Sequence, residues 1–245
     1  MEQIVLPPLN VYQEAAIVDV EGLTLNSDKV PLAIERLRKY QPIGEKYYLA
    51  FSGGSDSQAI YQVAVEAKVP FDAHYCQDLA PPEVKQFIRS DYPDVKWEKK
   101  PGFNFYEAIV KKGYPRRKAR WCCEVMKEWG GEGRTVILGI RRDESVGRRR
   151  HRISEVWSGQ HCINPIIDWT KNEVFAYLKS RNIQTCSLYA EGFKRLGCVL
   201  CPMATKRQKN VEMERWPKIA DAWKRAFVRL YNDRKARGLH SVDFW

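Results

Sequence analysis

The sequence predicts an α/β fold, a parallel sheet flanked by helices, with a cysteine-bearing helical C-terminal extension. Two observations carry this expectation. Short apolar runs ended by turn residues alternate with segments whose apolar residues recur at helical spacing, and this alternation spans roughly residues 45–180. The last quarter then changes character, with a CxxC pair followed by one long amphipathic stripe. The elements follow in order. Ala33, Ile34 and Leu37 mark a helix that stops before Pro42. Lys46–Phe51 is an apolar run halted by Gly53 and Gly54, as expected of a buried parallel strand. Ile60, Val63, Ala64 and Ala67 keep the i, i+3, i+4, i+7 spacing of an amphipathic helix. Phe71–Cys76 predicts a second strand, Pro81–Ser90 a second helix, and Val95–Trp97 and Thr135–Ile140 two further strands. Thr170 and Glu173 have the spacing of a capping box, opening a helix through Leu178. Ile219, Trp223, Ala226, Phe227 and Leu230 form the stripe of a final helix, with Gly238 as its stop. The expected organisation is an N-terminal extension over 1–40, an α/β domain over 41–185 and a C-terminal segment over 186–245.

Composition narrows the function classes. Eight Trp, twelve Tyr and nine Phe in 245 residues are too many for a disordered chain. No stretch approaches the roughly 18 consecutive apolar residues of a membrane span. The opening MEQIVLPPLN lacks a basic region followed by an apolar run, so a cytoplasmic protein is expected. Lys and Arg number 41 against 30 Asp and Glu, a net charge of +11 that calls for a polyanionic ligand or several phosphates. Seven cysteines without an export signal point to metal or redox chemistry before disulfides.

Ser52-Gly53-Gly54-Ser55-Asp56-Ser57 lies between the first strand and its helix. Glycines let backbone amides approach a phosphate, the serine hydroxyls add donors, and the helix presents its positive end to the same anion. The loop lacks both the GK[ST] ending of a Walker loop and the GxGxxG spacing. It resembles the PP-loop of the ATP pyrophosphatase superfamily, whose fold is the Rossmann-like adenine nucleotide alpha hydrolase sheet. Three further segments narrow the resemblance to the phosphoadenosine phosphosulfate (PAPS) reductase family. They are Pro115–Cys123, an arginine-rich approach to a cysteine pair; Gly139–Ser145, similar to GxRxxES; and Asn164–Thr170, similar to NPIxDWT. The resemblance implies that the loop holds an adenine nucleotide, ATP with Mg2+ or alternatively PAPS or adenylyl sulfate. It also implies that Arg141, Arg142 and Ser145 line the anion site.

Cys198-x-x-Cys201 is a metal-ligand spacing, and Cys122-Cys123 lies upstream of it. Adjacent side chains diverge, which suits the separated corners of a cubane better than one tetrahedral ion. The set resembles the cysteines of the iron–sulfur branch of the family, the adenylyl-sulfate reductases and the enzymes of DNA phosphorothioation. A 4Fe–4S cluster on Cys122, Cys123, Cys198 and Cys201 is the expectation, with zinc or free buried thiols as alternatives. Of the rest, Cys162 and Cys186 are expected in the core, and Cys76, at the end of the second strand, is the remaining candidate for a reactive thiol.

Two departures from the family pattern bear on activity. Sulfonucleotide reductases attack sulfate with a cysteine in a segment like ECGLH, whereas this chain reads Ala236-Arg237-Gly238-Leu239-His240. Guanidinium has no lone pair with which to replace a thiolate. Where the reductases resemble LDTG, the chain reads Cys76-Gln77-Asp78-Leu79-Ala80. The expected activity is therefore ATP pyrophosphatase-type adenylylation supporting sulfur transfer to a nucleic acid, with a cysteine desulfurase or another sulfur donor as partner. The alternatives are a PAPS or adenylyl-sulfate reductase and a non-catalytic nucleotide- and cluster-binding regulator. Arginines clustered over 141–152 and lysines and arginines beyond 206 exceed what one mononucleotide needs, and suit nucleic acid phosphates.

Overall fold

The chain's apolar runs assemble into a six-stranded sheet of order β3-β2-β1-β4-β6-β5. The strands are β1 (Tyr47–Ala50), β2 (Phe71–Cys76), β3 (Lys96–Glu98), β4 (Val136–Ile137), β5 (Ser154–Trp157) and β6 (Gln160–Ile163). The structure, a computed structural model, describes residues 29–239. Expectations for the N-terminal extension up to residue 28, and for His240 and Ser241, lie outside the described residues.

Five strands run parallel, from β3 through β6, as the buried apolar runs require. The sixth departs from the expectation: β5 pairs antiparallel with β6 and forms the sheet edge. Ser158 and Gly159 join the two strands, both at positive φ, which is the two-residue hairpin turn that matches strand twist. Expected strand Thr135–Ile140 shortens to Val136–Ile137, because after Leu138 the chain leaves the sheet toward the glycine loop.

Alternation along β1 sets the two faces. Tyr47 and Leu49 enter the main core with Val30, Ala33, Ile60 and Val63, while Tyr48 faces the other side with Val136 and Cys162. The main core is covered by α1 (Lys29–Lys39), α2 (Ser55–Ala67), α3 (Pro82–Asp91) and, further on, α6 (Lys171–Ser180). The Thr170–Glu173 capping box is present at the start of α6. A second cluster gathers Phe105 and Ile109 of α4 (Phe105–Lys112), Cys122 and Met126 of α5 (Trp121–Met126), and Trp223, Ala226 and Leu230 of the last helix. After α7 (Lys206–Arg215), that last helix, α8 (Pro217–Ala236), ends before Gly238 at φ +67. Cys186, Leu188, Val199 and Trp216 belong to the main core, so the C-terminal segment threads both clusters. Among the described residues no helix is long and apolar enough to cross a membrane.

Candidate functional site

β1 ends at Ala50 and α2 begins at Ser55, so the chain between them must reverse at the carboxyl edge of the sheet, where ligands of parallel sheets bind. Gly53 makes the reversal at φ +73, and a Cβ there would lie 3.0 Å from Ile88 and Val84. Gly54 is the N-cap of α2 and accepts no side-chain cap, which leaves the first amides of the helix facing the loop. Ser57 Oγ donates to the Gly54 carbonyl at 2.8 Å, and Ser52 Oγ donates to Ser57 Oγ at 3.2 Å. Loop and helix start are thus one rigid concavity of donors.

Charged groups converge on it. Arg141, 3% exposed, comes off the end of the β4 extension and pairs through Nε with Asp56 at 2.9 Å. Gly139 permits this approach, since a Cβ there would meet the Asp56 backbone at 3.1 Å. Lys171, the first residue of α6, donates from Nζ to Ser55 Oγ at 2.6 Å and lies 3.9 Å from the Asp56 carboxylate. Burial lowers the Lys171 pKa, against the Asp56 carboxylate and with help from Arg141. Tyr189 accepts a hydrogen bond from the Ser55 amide at 3.0 Å, and burial raises its phenol pKa. Neither Lys171 nor Tyr189 is among the residues the sequence singled out.

The structure brings Ser52 through Ser57 together with Arg141. The other two expected anion residues bond within the neighbouring loop. Arg142 donates from Nε and Nη2 to the His151 carbonyl, both at 3.2 Å, and Ser145 Oγ accepts from the Arg148 amide at 3.3 Å. Both hold the arginine-rich loop in place beside the site.

The cysteine pairs sit on the second cluster. Cys122 is buried; Cys123, Cys198 and Cys201 are partly exposed, and all are free thiols. Cys122 donates to Cys123, and the Arg120 guanidinium lies 3.3 Å from the Cys123 sulfur. That hydrogen bond, opposed by burial and reinforced by Arg120 and Lys127, draws the Cys123 pKa down. The Cys122 pKa rises through the same bond, burial, and the charges of Cys123, Cys198 and Cys201, and Cys122, Cys123 and Cys198 pack in the same hydrophobic cluster. Cys198 is pushed up to about 12, by burial first and against the pull of Lys127. Its sulfur lies 3.5 Å from Asp78, which pairs with Lys127 at 2.6 Å. Cationic Arg120 and Lys127 beside thiols suit anionic sulfur ligands. Among the described residues, no three His, Cys, Asp or Glu side chains are arranged to hold a single metal ion.

Cys76 lies apart from both groups. Tyr48 Oη stands 3.5 Å from its sulfur, and Glu98 Oε2 accepts from it at 3.8 Å. Burial raises its thiol pKa and the Glu98 and Asp78 carboxylates add to that, outweighing the Tyr48 hydrogen bond that favours the thiolate.

Comparisons with known proteins bear on the family and the fold. The family model described as the phosphoadenosine phosphosulfate reductase domain matches residues 46–204. An uncharacterized protein of Methanocaldococcus jannaschii is 27% identical over 248 residues, covering 91% of this chain and 59% of that protein. An adenosine 5'-phosphosulfate reductase of Neisseria meningitidis serogroup B is 29% identical over 143 residues, 54% of each chain. The chain spans about half the length of the curated relatives it matches. A phosphoadenylyl-sulfate reductase from Candida auris, solved with phosphate, shares the fold at a TM-score of 0.52 and 20% identity, over 68% of this chain and 87% of that one. With its loop, its arginine and its two cysteine pairs inside or at the edges of the matched span, the chain belongs to the phosphoadenosine phosphosulfate reductase domain family.

Proposed function

We propose that this chain is an adenylylating PP-loop enzyme that activates an oxygen of a nucleic acid with ATP, in preparation for sulfur transfer. The observation that carries the reading is the convergence of Lys171 and the N-terminal end of α2 on one loop, a cation and a helix N-terminus directed at one anion site. In this reading the acceptor oxygen attacks the α-phosphorus of ATP, and the bond from that phosphorus to pyrophosphate breaks. Pyrophosphate leaves with the electron pair of the broken bond. Loop amides, Ser55, Ser57 and Lys171 stabilise the growing charge on pyrophosphate, with Mg2+ as the counter-ion of the phosphates. Asp56 fixes Arg141 at the mouth of the loop, and Arg141 orients the nucleotide.

A persulfide from a cysteine desulfurase then attacks the adenylylated centre, AMP leaves, and a thiol reduces the remaining S–S bond. Cys122, Cys123, Cys198 and Cys201 would hold a 4Fe–4S cluster. The donor set fits it, since Cys122, Cys123 and Cys198 pack in one cluster beside Arg120 and the Asp78-paired Lys127, Cys201 follows three residues after Cys198, and a cubane takes one sulfur per separated corner rather than four at one point. When bound, the cluster would carry or position sulfur. Burial, with the Glu98 and Asp78 carboxylates, raises the Cys76 thiol pKa, and Arg237 occupies the place of the reductase nucleophile while pairing with Asp233 at 3.3 Å. These two observations set the reductase reading second. A cytoplasmic setting fits thiols kept free of disulfides.

The test is pyrophosphate release from ATP with single-stranded DNA or RNA as acceptor. Release should depend on acceptor, and Lys171→Met should weaken nucleotide binding about tenfold, as loss of a hydrogen bond to a charged group does. Sulfite release from PAPS or adenylyl sulfate with thioredoxin, at about one turnover per second or faster, would overturn the reading in favour of the reductase.

A further inference from the structure

The β5–β6 hairpin presents features that the nucleotide and cysteine sites do not use. Its two-residue turn, Ser158-Gly159, leaves Trp157 at the last position of β5, paired with Gln160. The indole is 47% exposed, although a side chain of its size is ordinarily buried, and its ring lies 4.8 Å from that of His151. His151 is itself buried and held by Glu155 at 2.7 Å, so the indole rests on a fixed platform rather than swinging free. Immediately before it the chain reads Arg148-Arg149-Arg150-His151-Arg152, a 3-10 turn and its exit. Arg149, Arg150 and Arg152 are exposed. Among the described residues no acidic side chain is ion-paired with these three. Glu155, the nearest carboxylate in sequence, is spent on His151, the Arg152 amide and Asn164.

The loop is tied to both functional groups. Arg142 grips the His151 carbonyl and follows directly on Arg141, which meets the glycine loop through Asp56. On the other side, the charge of Arg148 reaches Glu128, which in turn feels Cys123. Gln160 of the hairpin donates to the Gly130 carbonyl, in the segment that follows the first cysteine pair. The arginines thus precede β5 at the carboxyl edge of the sheet, where the anion loop lies, and the indole closes the same strand at its other end, its ring turned toward His151.

We propose that this hairpin is the docking surface for the acceptor: a single-stranded or locally unpaired stretch of nucleic acid, with a base stacked on Trp157 and phosphates on Arg149, Arg150 and Arg152. The assignment rests on the nucleic-acid acceptor proposed above. Charge complementarity selects a polyanion, and the exposed flat ring beside guanidinium groups selects unstacked bases, whose faces a duplex hides. A rigid two-residue turn keeps the ring in place before binding, which limits the ordering cost of association.

The experiment measures fluorescence anisotropy of labelled oligothymidine and oligouridine strands, about 16 nucleotides long to span such a site, and of a duplex of equal length, titrated with the full chain at several salt concentrations. The single strands should bind more tightly than the duplex; the thymidine and uridine arms tell DNA from RNA. Trp157→Ala should weaken single-strand binding about tenfold, and Trp157→Phe, which keeps a stacking face, should stay within about threefold of the parent. Arg149→Ala combined with Arg150→Ala should lower the slope of log affinity against log salt by about one to two. Should Trp157→Ala fold poorly, the Trp157→Phe variant and the salt slope decide the matter. Parent-like binding by a folded Trp157→Ala, or an unchanged slope, overturns the hairpin assignment and leaves the nucleic-acid reading standing. Failure of the parent to bind any strand overturns both. A dimer of the parent that Trp157→Ala dissolves, with strand binding unchanged, assigns the surface to a second copy of the chain and overturns the proposal.

Discussion

Gly53 and Gly54 are neighbours in one loop, yet a side chain means different things at each. Gly53 sits at φ +73 with Ile88 and Val84 3.0 Å from where a Cβ would lie. Gly53→Ala therefore forces both a left-handed conformation and a crowded core contact, and should destabilise the fold by about 1–3 kcal/mol. A lower urea midpoint at unchanged slope is the expected signature. Gly54 has φ −82, and its nearest neighbours, Ser52 Oγ and Tyr189 Oη, stand at an ordinary 3.5 Å. Gly54→Val should melt near the parent temperature and lose adenine-nucleotide binding, because its branched carbons fill the anion's place. Parent-like nucleotide affinity in Gly54→Val would remove the loop from the binding site. The loop's turn and helix start were legible in the sequence because they are built from consecutive residues. Lys171 and Tyr189 were not, since they reach Ser55 from 116 and 134 positions away, and no local pattern reports a contact over that distance. Arg142 and Ser145, placed at the anion by similarity, also bond within the arginine-rich loop, to the His151 carbonyl and the Arg148 amide.

At the scale of elements, α1 shows how an expected helix gains its position from charge as well as from its apolar stripe. Val30, Ala33 and Leu37 are buried against the core. Arg36 reaches across to the segment before α6, donating to both Asp168 oxygens at 2.7 and 2.8 Å and to the Pro165 carbonyl at 2.7 Å. Lys29 adds a bond to Glu173 at 2.8 Å. This is a two-pronged guanidinium–carboxylate pair in a half-buried setting, and Arg36→Ala should cost about 1–3 kcal/mol. Burial alone would raise the Asp168 pKa, but the Arg36 bond and charge outweigh it and leave the carboxyl below its ordinary value. A depressed carboxylate contributes stability that is fully present above its unfolded pKa of about 3.9 and lost as pH falls through the lower folded value. Asp168→Asn should therefore flatten part of the acid limb of a stability–pH curve, and an identical limb in that variant would dismiss the clasp. Strands β1 to β4 and helices α2, α3, α6 and α8 were readable from period and punctuation, whereas β6 was not singled out as a strand. The stretch forming α7, KRQKNVEMER, offers almost no apolar stripe, and its one buried residue is Glu212, which accepts from the Leu200 amide at 2.6 Å. Strand β5 was hidden for a related reason: it is an edge strand whose Val156 and Trp157 remain exposed, so no alternation toward a core marks it.

Across the whole molecule, the two hydrophobic clusters meet where the cysteines lie, and that sets what a metal-loading experiment will read. Cys122 comes from α5 and packs in the second cluster with Trp223 of α8. Cys198 and Cys201 flank Val199, which belongs to the main core and whose carbonyl accepts from Trp223 Nε1 at 3.3 Å. The cysteine pairs are thus carried by separately anchored elements, brought together by packing rather than by a bond of their own. A group bridging them would tie α5 to the 198–201 segment and add to stability by mass action. The chain purified without oxygen should be brown and hold about four irons, as four thiolates on one cubane require. Cys122→Ser, Cys123→Ser, Cys198→Ser and Cys201→Ser should each lose iron and lower the melting temperature toward that of chelator-treated parent protein. Cys76→Ser, at the end of β2 beside Tyr48 and Glu98, and Cys162→Ser, in the β4–β6 face, should keep both colour and iron. That contrast separates a built cluster from adventitious iron, which any exposed thiol would share. Colourless protein carrying one zinc per chain, or equal iron loss from Cys76→Ser and Cys122→Ser, would remove the cluster and leave the four thiols as part of the packing between the two cores.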